Sequence, residues 1–278
     1  MQQILLIATG GTIACRETAQ GLAPVLDGAA LLQELPGLRA WCTVSVCDLL
    51  RLDSTDLTAG DRMQIARTVW ENRARYDGFV IAHGTDTLSY TAALLHHVLR
   101  EIDKPVILTG SMLPMGAPGS DAPRNLLDAC RTAVSGRAGV FAVLHGKVIE
   151  GCRVIKRHSS EMDAFLSAGT PPAAAINPDG TLTWQAPPQP PGTPSLVQQI
   201  DPHVLLVKLI PDLAPSFFQA LHGYPHVIIE TFGAGGVPEG GADLHKYEVG
   251  RRAEKMGAVS LGLRTTEDAL AAVMCGEL

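Results

Sequence analysis

The sequence predicts an α/β protein with a doubly wound, mostly parallel sheet in a large N-terminal domain, a proline-rich linker and a smaller α/β C-terminal domain. Three observations lead there. Short, continuously apolar runs of strand length alternate with segments whose apolar residues recur at helical spacing. Strands apolar on both sides need cover on both faces, which helices crossing between parallel strands supply. Eight of the nineteen prolines crowd between about residues 170 and 195 and separate two such alternations.

Residues 3–8 (QILLIA), 78–82 (GFVIA), 105–109 (PVILT) and 139–144 (GVFAVL) form the β-runs of the first half. Between them, Met63, Ala66, Val69 and Trp70 share one helical face. Leu94, Leu95, Val98, Leu99 and Ile102 share another, and Leu126, Leu127, Cys130 and Val134 a third after Pro123. Proline removes N–H donors and fixes φ, so the proline-rich stretch is expected to be a linker with one short hairpin at Asp179-Gly180, not interior sheet or helix. Beyond it, HVLLVKLIP and HVIIETFG are predicted strands, PSFFQALHG a helix between them and TTEDALAAVM a closing helix. The expected domains are 1–185 and 201–278, joined by a linker over 186–200.

With 278 residues, 46% of them hydrophobic, the chain can bury a sizeable core. A net charge of −6 without a long Lys/Arg cluster argues against a nucleic-acid or anionic-membrane partner. The N-terminal apolar run is short and lacks a basic flank, so no signal peptide or membrane span is expected, and the predicted location is cytoplasmic. The six cysteines have no C-x-x-C pair and are expected as free thiols. The nine histidines are dispersed, with His96 and His97 inside a helical pattern lacking H-E-x-x-H, so they are treated as surface or core residues.

In an open parallel sheet, ligands sit beyond the carboxyl ends of the strands. TGGTI, HGTDT (83–87), TGSMLP (109–114) and HGKVIEGCRVIK (145–156) each follow one of the four β-runs, which puts four hydroxyl- or charge-bearing turns on one sheet edge. Any one of these turns is adequately explained as an ordinary strand-to-helix connection. HGTDT is less ordinary, because a threonine beside an aspartate can act as nucleophile or proton relay. Lys156 is a base for it if burial lowers the lysine's pKa.

ATGGTI, LDSTD, VIAHGTDT, ILTGSMLP and GCRVIK, in this order and spacing, resemble the bacterial-type L-asparaginases, amidohydrolases with a threonine nucleophile. The resemblance covers nearly the whole large domain and continues more weakly through the small one. It implies Thr12 as the nucleophile and Thr85, Asp86 and Lys156 as the relay. It also implies Ser54, which holds the substrate α-carboxylate, with Thr55 beside it, and Asp86 at the α-ammonium; Ser111 of TGSMLP joins them as a substrate contact. No metal or organic cofactor is implied. The assembly implied is a homodimer or homotetramer whose sites borrow from a neighbouring subunit's small domain.

Two features depart from the family pattern. Leu22 stands where the family's lid carries a tyrosine, so either a slow enzyme is expected or one in which Tyr224 or Tyr247, from this or a neighbouring chain, supplies the missing hydroxyl. GVPEGGADLHKYEVG follows HVIIETFGAGG at once, as if a βα unit were missing near residues 235–241. Other readings stay open: a weakly active or inactive paralogue that binds an amino acid, and an amidase acting on glutamine or another small amide. Nucleotide-dependent chemistry is disfavoured, because neither G-x-G-x-x-G nor G-x-x-x-x-G-K-[ST] is present.

Overall fold

The computed structural model describes residues 1–19, 21–188, 190, 192–211, 214–230 and 264–277, together with Lys255, Val259 and Leu261. The chain opens with β1 (Gln2–Gly10), a hairpin of β2 (Cys15–Thr18) and β3 (Gly21–Pro24), α1 (Gly28–Gln33) and β4 (Cys42–Leu52). Next come α2 (Ala59–Asn72), β5 (Gly78–Ala82), α3 (Leu88–Val98), β6 (Leu99–Arg100), β7 (Pro105–Thr109), α4 (Ala122–Val134) and β8 (Gly139–Leu144). Six short strands follow: β9 (Lys147–Glu150), β10 (Val154–Lys156), β11 (Phe165–Ser167), β12 (Ala174–Ile176), β13 (Leu182–Trp184) and β14 (Ser195–Leu196). The second α/β stretch holds β15 (Val204–Lys208), β16 (His226–Glu230) and α5 (Thr266–Met274).

Eight strands form the main sheet in the order β13-β12-β9-β8-β7-β5-β1-β4. The five from β8 to β4 are parallel, and β9, β12 and β13 extend one edge antiparallel. β5 and β7 are buried along their whole length. Their side chains alternate between two cores, as a pleated strand requires. Leu5, Ile7, Phe79, Ile81, Val106 and Leu108 pack with α2 and α3, whereas Ile4, Leu6, Val80, Ala82 and Ile107 pack with α1 and α4. The doubly wound, mostly parallel architecture anticipated from the sequence is therefore present.

Several elements differ from expectation. No continuous apolar run marks β4, because CTVSVCDLLRL is a half-buried edge strand; it nevertheless pairs with β1 along most of its length. Ile102 lies beyond the end of α3, since the chain turns extended at Leu99 and pairs with β14. The expected hairpin at Asp179-Gly180 forms, and its strands complete the edge of the main sheet. The expectation that this stretch contains no interior sheet is overturned at β12, which pairs with β9 on one side and β13 on the other; the prolines spare it because Pro172 and Pro178 flank Ala174–Ile176 without entering it.

β15 and β16 pair in parallel, but PSFFQALHG between them is a 3-10 run, not an α-helix. The connection must return along a five-residue strand, about 16 Å at the usual rise. Nine residues span roughly 18 Å as 3-10 and only about 13 Å as α-helix, and Pro215 starts the run. The shortening expected near residues 235–241 lies outside the described residues, as does Tyr247.

α5 starts at the cap Thr265, whose hydroxyl accepts from the Asp268 amide. It packs on α3 through a histidine that no sequence pattern singles out. His97 is buried and bonds Asp268 at 2.7 Å through Nε2 and Glu277 at 2.8 Å through Nδ1. Arg264 and Arg100 bind the far sides of those two carboxylates. All six cysteines are free thiols.

Candidate active site

β1 ends in two glycines for a steric reason. Gly11 has φ +74°, and a Cβ there would fall 2.2 Å from the Gly84 Cα. Gly84 in turn has no room for a Cβ, which would meet the Ser54 side chain at 2.7 Å. Three turns therefore touch through backbone: the one after β1, the one after β5 and the one after β4. Threonines follow directly at positions 12 and 85, and Ser54 stands against them. The Gly11 amide donates to Leu52 O at 3.0 Å, which locks the first turn to the end of β4.

Thr12 opens a single 3-10 turn and is half-buried. Among the described residues its hydroxyl makes no hydrogen bond, in contrast with the other hydroxyls of the edge. Thr85 is buried, and its Oγ1 accepts from Lys156 Nζ at 2.9 Å. The same Nζ donates to Asp86 Oδ1 at 2.6 Å, so one ammonium bridges an enclosed hydroxyl and a carboxylate whose side chain is 59% exposed. Lys156 itself is largely enclosed. Its route differs from the one read from the sequence: β9 runs back antiparallel from the turn after β8, and Lys156 arrives on the separate ribbon β10–β11, paired with Phe165.

Ser54 is buried, and its Oγ accepts weakly from the Thr87 amide at 3.4 Å. Thr55 is exposed, with its amide and hydroxyl both donating to Asp53 Oδ1. Ser111 is fully buried and donates to Leu113 O within its own turn. The structure thus gathers Thr12, Ser54, Thr85, Asp86 and Lys156 at one place, with Thr55 at the rim and the Ser111 hydroxyl turned into its own loop.

The residues under these turns carry no sequence signal of their own. The Asp121 carboxylate accepts from the amides of Met112 and Leu113 and from Asn125 Nδ2, while Asn125 also binds Gly110 O and the His145 amide. Those bonds fix the third and fourth turns to the start of α4. Under the second turn, His83 is fully buried and burial pushes its pKa down to about 4. Its Nδ1 bonds Gly84 O at 2.7 Å and its Nε2 meets Thr91 Oγ1 at 2.9 Å. Asp121 was legible only as a helix-start residue before Pro123, and His83 only as a member of HGTDT.

The hairpin β2–β3 follows the Thr12 turn directly in the chain. Its base is closed by the bond from the Leu26 amide to Ala14 O, and Leu22 sits on it opposite Glu17 with 60% of its surface exposed.

A hydroxyl-bearing turn close to a lysine–threonine–aspartate cluster, at the carboxyl edge of a parallel sheet, fits an amidohydrolase that uses a hydroxyl nucleophile. The comparisons with known proteins agree. The family model "Asparaginase, N-terminal" matches residues 3–189. The L-asparaginase of Thermococcus kodakarensis is 36% identical over 301 aligned positions, covering 98% of this chain and 92% of the relative. The solved structure described as the thermostable L-asparaginase from Thermococcus kodakarensis superposes with a TM-score of 0.92 at 36% identity, over 99% of this chain and 92% of that one. L-asparaginase 1 of Escherichia coli is 32% identical over 260 aligned positions, covering 89% of this chain and 75% of the relative. The chain belongs to the asparaginase family.

Proposed function

We propose that this chain hydrolyses L-asparagine to L-aspartate and ammonia through an ester on Thr12. The observation that carries the reading is Lys156 Nζ held between Thr85 and Asp86, next to the turn of a Thr12 whose hydroxyl makes no hydrogen bond among the described residues. Attack by Thr12 Oγ1 on the side-chain amide carbon forms the ester and breaks the C–N bond. A hydroxyl is a weak nucleophile at neutral pH, so its proton must leave as it attacks. Thr85 Oγ1 takes that proton while passing its own to Lys156 Nζ, which acts as the neutral amine; the proton is returned to the leaving nitrogen, which departs as ammonia, and water then cleaves the ester. Backbone N–H groups near the glycine turns, other than the Gly11 amide already bonded to Leu52 O, are the proposed donors to the developing oxyanion.

In this reading Ser54 and Thr55 hold the α-carboxylate and Asp86 the α-ammonium, while Ser111 shapes the wall through its turn. The proposed reaction calls for no metal or cofactor. The proposed working form is a cytoplasmic homodimer or homotetramer acting on a free amino acid, with no nucleic-acid or membrane partner. The division at residues 185 and 201 remains part of the proposal.

The test is ammonia release from L-asparagine and, in parallel, from L-glutamine. Faster turnover of asparagine is expected. Preference for glutamine would move the reading to a glutamine amidase, and release from neither amide would make the chain an amino-acid binder.

A further inference from the structure

Arg62 projects from α2 beneath the site, with its guanidinium part-buried and its pKa lowered by burial. Among the described residues no carboxylate lies within ion-pair distance of it. All three of its hydrogen bonds go to neutral oxygens: Nη1 to Leu57 O at 2.8 Å, Nε to Thr91 Oγ1 at 3.0 Å and Nη2 to Thr87 Oγ1 at 3.1 Å. Asp61 on the same helix eases its burial, but a part-buried cation with no ion pair among the described residues still calls for a geometric reason.

The reason lies in the directions of the bonds. Gly84 O can only accept, so His83 Nδ1 carries the proton and Nε2, on a ring that burial keeps neutral, must accept. The single proton of the Thr91 hydroxyl is therefore given to Nε2, and its lone pair receives Arg62 Nε. The resulting chain runs Arg62, Thr91, His83, Gly84 O, and ends on the peptide that precedes Thr85. A second chain runs Arg62, Thr87 Oγ1, Ser54 O at 2.7 Å, and ends on the turn carrying Ser54 and Thr55. Thr87 stands at the N-cap of α3, yet its hydroxyl caps nothing; it is spent on Ser54. Because the guanidinium fork has fixed angles, one rigid group sets both chains.

We propose that Arg62 is a positioning residue with two arms, one setting the proton-relay turn through Thr91 and His83, the other setting the substrate-holding turn through Thr87. The inference rests on the amide-hydrolysis reading for its kinetic consequence only. A lysine at position 62 keeps the charge but cannot serve both arms. The arms separate kinetically, since displacing a relay group acts on the chemical step and displacing a binding group acts on substrate affinity.

The experiment compares Arg62→Lys, Thr91→Val, Thr87→Val and Thr91→Ser in steady-state kinetics and in imidazole nitrogen NMR of the histidines. Thr91→Val is expected to lower kcat on the order of tenfold to a hundredfold at nearly constant KM, as small displacements do. Thr87→Val is expected to raise KM by a similar factor at nearly constant kcat, and Arg62→Lys to do both. Thr91→Ser restores the hydroxyl and should recover kcat. In the spectra, His83 should stay the neutral Nδ1–H tautomer throughout, because Gly84 O fixes it, while its Nε2 resonance should move in Thr91→Val, which removes the Thr91 donor, and stay in place in Thr87→Val, whether or not the protein turns over. An active wild type in which Thr91→Val and Thr87→Val shift kcat and KM alike, or neither, overturns the two-arm assignment. So does a His83 Nε2 resonance indifferent to Thr91. An inactive wild type whose His83 spectrum still follows Thr91 would sink the hydrolysis reading and leave the network standing.

Discussion

The turns that carry Thr12, Ser54 and Thr85 and the hairpin that follows Thr12 are adjoining pieces of one site built in opposite ways. In the turns, Gly11 lies against Gly84 and Gly84 against Ser54, with no space for a methyl group between them. Their undersides are tied by Arg62, His83, Asp121 and Asn125. In the hairpin, β2 and β3 bond mainly to each other, their residues are mostly exposed, and a Cβ added at Gly21 would meet nothing. The groups proposed to break the bond are thus fixed by packing on the sheet edge, and the hairpin is left free of it. Substitutions in the turns should therefore cost rate steeply, while the hairpin should tolerate change and even gain from it.

The largest effects are expected at the relay. Thr85→Ala and Lys156→Met should each lower kcat by on the order of a thousandfold or more, with substrate still bound, because each breaks the proton path. Asp86→Asn should weaken binding as well. Unchanged kinetics in Lys156→Met would reduce Lys156 to a surface lysine and dissolve the contrast between the two regions.

Gly84→Ala puts a methyl into Ser54 without altering any polar group. A displacement of that kind costs about a hundredfold in kcat/KM. Turnover at the wild-type rate would show that the packed edge has slack.

A smaller, pH-dependent effect follows from His83. Its pKa is held near 4 in the folded chain, against about 6.5 when unfolded. Above pH 6.5 both states are neutral and the group has no effect. As pH falls below 6.5 the unfolded chain takes up a proton that the folded chain refuses, so stability declines until about pH 4. The total is roughly 3 kcal/mol, at about 1.4 kcal/mol for each unit of pKa. Urea melts of wild type and His83→Asn across that window should differ in slope by one proton, and equal slopes would contradict a neutral buried His83.

The smallest effect belongs to the lid. Leu22 can seal a site but cannot transfer a proton, and acid–base help is typically worth about a hundredfold or more. Leu22→Tyr is expected to raise kcat by roughly tenfold, within that range. No gain, together with a slower enzyme in Tyr224→Phe or Tyr247→Phe, would show that a phenol already arrives from elsewhere.

What the sequence disclosed follows the same division. The central strands and the catalytic turns were legible because their signals are local: unbroken apolar runs, then glycine beside hydroxyl. β4 was not, since an edge strand buried on one side mixes Thr, Ser, Asp and Arg into its pattern. Arg62 looks like any charged residue on the outer face of an amphipathic helix, and only the fold reveals that α2 turns it under the 83–87 turn. Lys156 was identified by its motif, but its delivery on β10–β11 depends on β9 reversing direction, which no residue there announces. The 3-10 run at Pro215–Gly223 answers to the distance it must span and not to its helical periodicity.

The central claim is that Thr12, and not its partner Thr85, makes the covalent bond. The most direct measurement is turnover of L-asparagine by Thr12→Ala and Thr12→Ser beside wild type, with folding of each variant checked by thermal melts. The account predicts a folded Thr12→Ala that has lost on the order of a thousandfold or more in kcat, and a Thr12→Ser that keeps measurable turnover because an attacking hydroxyl remains. A folded Thr12→Ala releasing ammonia at nearly the wild-type rate would contradict it.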